Sequence, residues 1–297
     1  MNIASIKDRL KNISNKTGKS FQELLIAYGL ERTIYRISIS KYKNRFILKG
    51  GIFLYALSNG NYPRVTTDID LLAQHISNDI DNIYDTFFEI FSINNEDGLR
   101  YDLDSLQVKS ITEFKEYHGV NVSIKAYLDK TQIPVSIDIG FGDVIYPEKV
   151  EMGFPVLLDD EEPNIYAYSI YSTIAEKFEA FVSLGLVNSR YKDFYDIYVL
   201  ASTHDLDGET LGSAILETFN HRTTSIKEIA AFEDSFTNDP INKQRWNSFI
   251  KKKKTSIDID FEETINFLKK LLMPIVVSIA DNTEFNLKWT KETKTWK

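Results

Sequence analysis

The sequence predicts an α+β protein, with a mixed sheet and flanking helices over residues 1–150 and a mainly helical lobe over residues 151–297. Three observations carry this prediction. Apolar residues recur at helical spacing through residues 3–39. Between residues 103 and 139 the period drops to two, the spacing of strands. From Ser169 almost to the end the helical period returns.

Taken in order, Ile3, Ile6, Leu10 and Ile13 predict a helix over 3–16. A second follows over 20–39, where Ser20 and Glu23 have the spacing of a capping box. Phe46-Ile47-Leu48 reads as a short strand ending at Lys49-Gly50-Gly51, with a helix over 52–58 and a turn at Asn59-Gly60-Asn61-Tyr62-Pro63. Residues 67–73 alternate acidic and apolar, as a strand does. Ile80, Ile83, Tyr84, Phe87, Phe88 and Phe91 predict a helix over 78–92. Strands are expected over 103–110, 120–128 and 134–139. Pro147, Pro155 and Pro163 make 146–163 a loop. Beyond it, Ile174, Phe178, Phe181 and Val182 form one helical stripe, and 193–201 and 211–219 form others.

Composition narrows the chemistry. Hydrophobic residues are 43% and charged residues 26% of 297, the balance of a water-soluble chain with a substantial core. Cysteine is absent, which excludes disulfides, zinc–thiolate centres and thiol nucleophiles and suits a cytoplasmic location. The opening residues lack the apolar centre of a signal peptide. The apolar stretch 268–280 is short and carries Lys269, Lys270 and Pro274, so no membrane span is expected. A net charge of −8 gives no long-range attraction for nucleic acid, and any RNA contact must use a local basic patch.

The carboxylates are the first candidates. Asp68 and Asp70 are two apart in a predicted strand, so they share a face. Two like charges held close are costly until a divalent cation relieves them, and Mg²⁺ favours carboxylate and phosphate oxygens. Taken alone, an exposed edge strand explains a D-x-D equally well. Asp138, between Ile137 and Ile139 in an apolar strand, has no comfortable structural role unless that strand lies beside Asp68 and Asp70. Asp143, in the following glycine turn, reads as a turn cap. Gly50-Gly51, between a strand and a helix, frees backbone N–H groups to approach a phosphate.

Together these residues resemble a known family. Lys49-Gly50-Gly51 followed by Arg64-Val65-Thr66-Thr67-Asp68-Ile69-Asp70-Leu71 resembles the glycine and D-x-D motifs of polymerase-β-type nucleotidyltransferases. With Ile137-Asp138-Ile139-Gly140-Phe141-Gly142-Asp143, Lys177 in a helical I-A-E-K-F-E-A run, and Asp193 in Arg190-Tyr191-Lys192-Asp193, the chain is similar to the AbiEii/AbiGii toxin family over about residues 46–202. The resemblance implies a polymerase-β-like lobe and transfer of a nucleoside monophosphate from an NTP. It implies metal on Asp68 and Asp70, and the residues themselves put Asp138 forward as the third ligand, with Mg²⁺ (or Mn²⁺) as the ion. Lys177 would contact the triphosphate, and Asp193 would lie near the nucleotide and be needed for activity, so that both join Asp68 and Asp70 as catalytic residues. Lys49, Gly50, Gly51, Arg64, Thr66, Arg190 and Lys192 would complete the nucleotide site. An RNA acceptor, above all the tRNA 3′ end, and a cognate antitoxin are the implied partners. One departure is plain: where many nucleotidyltransferases have Gly-Ser, Gly51 is followed by Ile52, so no hydroxyl stands there.

Read without the resemblance, Lys177 with Glu176 and Glu179 is equally a surface ion pair. Likewise, Arg190 to Asp193 reads as a solvated loop between helices. Two rival functions remain: nucleotidylation of a protein, and nucleotide binding without catalysis. His75, His118, His204 and His221 lack metal-ligand spacing. Lys251 to Lys254, with Arg245 and Trp246, and the cluster Lys41, Lys43 and Arg45, are candidate basic patches for RNA.

Overall fold

Two helices open the chain in the computed structural model, which describes all residues except 1, 112–118, 186–189, 227–228, 253–254 and 256. Helix α1, Ile3–Thr17, buries Ile6 and Leu10 and stops at Gly18, whose left-handed φ of 73° is one that glycine adopts without steric cost. Helix α2, Phe21–Ile39, begins at the expected capping box: Ser20 Oγ accepts from Glu23 N–H, and the Glu23 carboxylate accepts from Ser20 N–H at 2.7 Å. Such a cap contributes about 1 kcal/mol.

The chain divides into two compact units, one of Met1–Gly142 with Lys149–Tyr168 and one of Asp143–Glu148 with Ser169–Lys297. The first holds a seven-stranded mixed sheet. Its strands are β1 (Phe46–Lys49), β2 (Ile69–Ala73), β3 (Leu99–Ile111), β4 (Gly119–Leu128), β5 (Thr131–Phe141), β6 (Val150–Gly153) and β7 (Asn164–Ala167). The spatial order is β3-β4-β5-β2-β1-β7-β6, with β2 parallel to β5, β1 parallel to β7 and the other pairs antiparallel. Helices α3 (Gly50–Leu57) and α4 (Ile80–Phe91) complete the unit.

Strand β6 falls inside the expected loop, and β7 falls just beyond it, where no element is expected. Each has four residues; β6 is largely exposed, and β7 alternates over too few positions for a period to stand out in sequence. The strand expected over 67–73 starts only at Ile69, which leaves Asp68 just outside it.

The second unit is helical: α5 (Ile170–Leu184), α6 (Tyr191–Thr203), α7 (Gly208–His221), α8 (Asp234–Thr237), α9 (Pro240–Lys252) and α10 (Phe261–Ala280). Aromatic side chains bind these helices together. Phe181 packs on Phe178, Phe194 and Phe232, and Trp246 on Tyr191, Tyr195 and Phe261. Three short strands, β8 (Leu206–Asp207), β9 (Lys288–Thr290) and β10 (Thr295–Trp296), form a small sheet that the helical expectation omits. Strands of two or three residues carry no periodicity to detect. Among the described residues, no helix is long and apolar enough to cross a membrane.

Candidate metal centre and nucleotide site

Strand β2 lies between β1 and β5, and its register brings the acids together. Asp70 is level with Asp138 on β5 and with Lys49 on β1, and Asp138 is level with Asn121 on β4. Residues directly opposite one another share a face. Asn121, Asp138, Asp70 and Lys49 therefore form one row across four strands. The alternate residues of β5, Ile133, Val135, Ile137 and Ile139, turn to the other face and are buried. Gly29 of α2 lies against Ile133 and Val135 there, so the core is on that side. The alternation of the sequence around Asp138 thus separates a core face from a site face.

Asp68, just before β2, joins the same cluster. One ligand atom from each of Asp68, Asp70 and Asp138 lies within 4.8 Å of the others, and all three residues are half-buried. Three carboxylates this close repel one another, and their hard oxygens match the donor preference of a divalent cation. Among the described residues no other such group of His, Asp and Glu occurs.

Neutral donors orient the acids. Asn121 Nδ2 donates to Asp138 Oδ1 at 2.6 Å and to Ser136 Oγ at 2.9 Å. The Thr66 hydroxyl donates to Asp68 Oδ1 at 3.4 Å, and Thr67 N–H to the same oxygen at 3.3 Å. Gly51 N–H donates to Asp70 Oδ2 at 3.2 Å. Asn121 is absent from the sequence-based candidates. Its only signal was that Asn is depleted in strands, and it takes a polar position of the Val120–Ile124 alternation, where a polar residue is expected in any case.

The glycine pair makes room for these groups. Gly50 has φ 63°, and a Cβ there would stand 1.9 Å from Asp70 Oδ2, well inside van der Waals contact. A Cβ on Gly51 would meet the Thr66 hydroxyl at 2.9 Å and the Arg64 guanidinium at 3.1 Å. Ile52 is buried in the core, while Thr66 presents a hydroxyl beside Gly51. Lys49 Nζ lies 5.2 Å from the centre of the Tyr168 ring, and Arg64 stands over Tyr62 at 5.6 Å.

Lys177 and Asp193 form a separate cluster within the second unit. Lys177 is buried, with Nζ 2.8 Å from Asp193 Oδ1 and 2.7 Å from Asp196 Oδ2. Arg190 Nε adds 2.7 Å to Asp193 Oδ2, and Lys192 is exposed beside it. The surface pair and the solvated loop are both overturned: Asp193 and Asp196 sit in the first turns of α6 and are 0% exposed. Burial alone would raise the Asp193 pKa, but Lys177, Arg190 and Lys192 hold it below the usual carboxylate range. Asp196 is a partner the sequence reading missed; its place one helical turn after Asp193 was the available signal.

Glu176 and Glu179 serve Arg222 instead. The Arg222 guanidinium reaches Asp143 at 2.8 Å, Glu176 at 3.1 Å and Glu179 at 2.7 Å. Asp143 is therefore an ion-pair partner rather than a turn cap. Trp246 is fully buried and presents no surface for a base. Lys41 and Lys43 pair with Glu89 and Glu151. His75 and His221 are exposed, His204 is half-buried, and His118, Lys253 and Lys254 lie outside the described residues.

Comparison with known proteins gives the family. No curated protein matches the chain. Solved structures do, among them two from Helicobacter pylori. JHP933 is 15% identical over 87% of this chain and 94% of its own, with a TM-score of 0.48. A protein described as a nucleotidyltransferase is 15% identical over 90% of this chain and 100% of its own, with a TM-score of 0.50. At that identity the second shows a shared fold alone. The model of the nucleotidyl transferase AbiEii toxin family, a type IV toxin–antitoxin system, matches residues 32–267. The chain belongs to the AbiEii nucleotidyltransferase toxin family.

Proposed function

We propose that this protein transfers a nucleoside monophosphate from an NTP to a hydroxyl on RNA, with pyrophosphate released, and that the tRNA 3′ end is the acceptor. The observation that carries this reading is the meeting of Asp68, Asp70 and Asp138 within 4.8 Å on a half-buried sheet face. These three residues would hold Mg²⁺, or Mn²⁺ in its place. When bound, such ions neutralise charge on the transferring phosphoryl group and favour ionisation of the attacking hydroxyl.

The chain's own groups position the substrate. Lys49 and Arg64 supply positive charge beside the acids, and the Thr66 hydroxyl and the backbone at Gly50 and Gly51 supply neutral donors. Lys177, Arg190 and Lys192 bind the triphosphate, with Asp193 fixing Lys177 and Arg190. The role in the cell is that of a toxin acting in the cytoplasm on RNA and restrained by a cognate antitoxin.

The test is direct. Wild-type protein is incubated with each labelled NTP, Mg²⁺ and total tRNA, and label on RNA and on protein is resolved. Label on RNA that requires Mg²⁺ and vanishes in Asp70→Ala is expected. Label on protein alone assigns a protein acceptor; no label anywhere, with Asp70→Ala as toxic as wild type, overturns the proposal.

A further inference from the structure

Helix α9 combines a dry face and a strongly basic wet one. Asn242 and Trp246, one turn apart, are buried, and Trp246 Nε1 donates to Ile259 O at 2.8 Å. This anchor turns Lys243, Gln244, Asn247, Ser248 and Lys251 outward, on positions three or four apart. With Asn238 they line an open groove of about 690 Å³. Its walls offer ammonium, amide and hydroxyl donors and, among the described residues, no carboxylate.

The charge distribution is uneven. Residues 240–254 contain six of the chain's 35 basic residues and none of its 43 acids. Lysines in the last turn of a helix ordinarily complement its dipole, which accounts for Lys251 and Lys252. It does not account for Lys243 and Arg245 or for the absence of any acid. Glu262 of α10 lies 3.2 Å from Lys243 at the groove's side and is half-exposed, a contact that a phosphate can replace at little cost.

We infer that α9 is a docking surface for the phosphate backbone of the RNA acceptor. With Trp246 buried, the face offers no ring for a base to stack on, so the contact is to phosphate and sugar and is independent of sequence. A net acidic protein needs such a local patch to hold RNA, and cations on one helix track a backbone without reading it. This inference rests on the RNA-acceptor reading above.

The test measures binding without turnover, using the full chain, a fluorescein-labelled tRNA transcript, fixed Mg²⁺ and no NTP. Anisotropy is followed from 50 to 200 mM salt for wild type and for the combined variant Lys243→Gln, Arg245→Gln, Lys251→Gln and Lys252→Gln. Each phosphate contact contributes roughly 0.7–0.9 to the slope of log K against log salt, so the variant's slope should fall by about 3 and its affinity by at least tenfold. Lys251→Gln with Lys252→Gln alone should give about half that fall, which covers the case of a poorly folded quadruple variant. A variant with wild-type slope and affinity overturns the docking role and leaves the RNA reading standing. Loss of binding to an acidic protein, with RNA binding unchanged, does the same. A wild-type protein that does not bind the transcript overturns both.

Discussion

The two carboxylate clusters of this protein solve the same electrostatic problem in opposite ways. In the second unit, Asp193 and Asp196 are wholly buried, and Lys177 and Arg190 reach them at 2.7–2.8 Å. Buried negative charge there is met directly by cations from α5 and from the start of α6. In the first unit, Asp68, Asp70 and Asp138 are half-buried and steered by an amide, a hydroxyl and backbone N–H groups. Their exposure and mutual closeness suit a cation that arrives from solution. The difference teaches that acids of one type are placed in two ways: sealed inside a helical core against cations, or gathered half-exposed on a sheet face where a dissolved cation can reach them.

The sharpest break in that comparison is Asp70→Ala. Removing a ligand from a metal-assisted phosphoryl transfer forfeits several kcal/mol of transition-state stabilisation, so transfer of label from NTP should fall by at least about 10³-fold. The fold should survive, since Asp70 is half-buried on a sheet face and not in the core; a melting temperature close to that of wild type is expected. A second readout tests the cation directly. Millimolar Mg²⁺ should raise the melting temperature of wild type and not of Asp70→Ala with Asp138→Asn. A shift of equal size in both proteins breaks the assignment.

Lys177→Met should do the reverse and strike stability first. It strands two buried carboxylates with one fewer cation, which costs about 3–5 kcal/mol in denaturant unfolding. Adding Asp196→Asn should restore part of that loss, because only one buried charge then remains and Arg190 pairs with it. Non-additivity of this sign would establish the cluster as a unit. Strict additivity would show that Asp196 belongs elsewhere.

Gly50→Ala tests the seam between backbone and chemistry. The residue would be held at positive φ, with its methyl 1.9 Å from Asp70 Oδ2, so the backbone or the carboxylate must move. Strain of this kind costs roughly 1–3 kcal/mol. Since Asp70 is the nearer and softer neighbour, the KM for Mg²⁺ should rise as well. A variant with wild-type Mg²⁺ dependence would show that Asp70 does not need its present position.

Much of this was legible in the sequence, for identifiable reasons. The capping box at Ser20 and Glu23 is local chemistry, so four residues suffice to read it. The two-residue period around Asp138 told which face it shares, but the pairing of β2 with β5 is long-range, and only register showed Asp70 and Asp138 side by side. Strands β6 and β7 were not legible because four-residue strands take their order from neighbours, not from pattern. By spacing alone, Lys177 is offered only Glu176 and Glu179, the nearest acids in sequence, as ion-pair partners. Its partners lie on the next helix, and no spacing rule reaches across a loop.

The smallest effect concerns a buried acid of the first unit that falls between the two clusters in kind. Glu31 on α2 is 1% exposed, with Oε1 accepting from Arg32 Nε at 2.9 Å and Oε2 accepting from Leu157 N–H at 2.6 Å. Burial raises its pKa to about 7; Arg32 and the Leu157 N–H oppose the rise without cancelling it, and Asp160 adds to it. Because the folded state binds this proton more tightly than the unfolded chain, whose ordinary value is 4.5, its contribution is full below 4.5 and is lost as pH rises through 7. The loss is on the order of 3 kcal/mol at most, spread over that window. Asp193 has the opposite sign: its lowered pKa stabilises the fold above the ordinary carboxylate range and fails only in acid. Denaturant unfolding at pH 5, 6, 7 and 8 should therefore show a downward slope that Glu31→Gln flattens. The variant should also be weaker throughout, because Arg32 Nε and Leu157 N–H approach different carboxylate oxygens, and in glutamine one of those positions is an NH₂ that cannot accept. An unaltered slope in Glu31→Gln would mean that Arg32 compensates Glu31 as fully as Lys177 and Arg190 compensate Asp193.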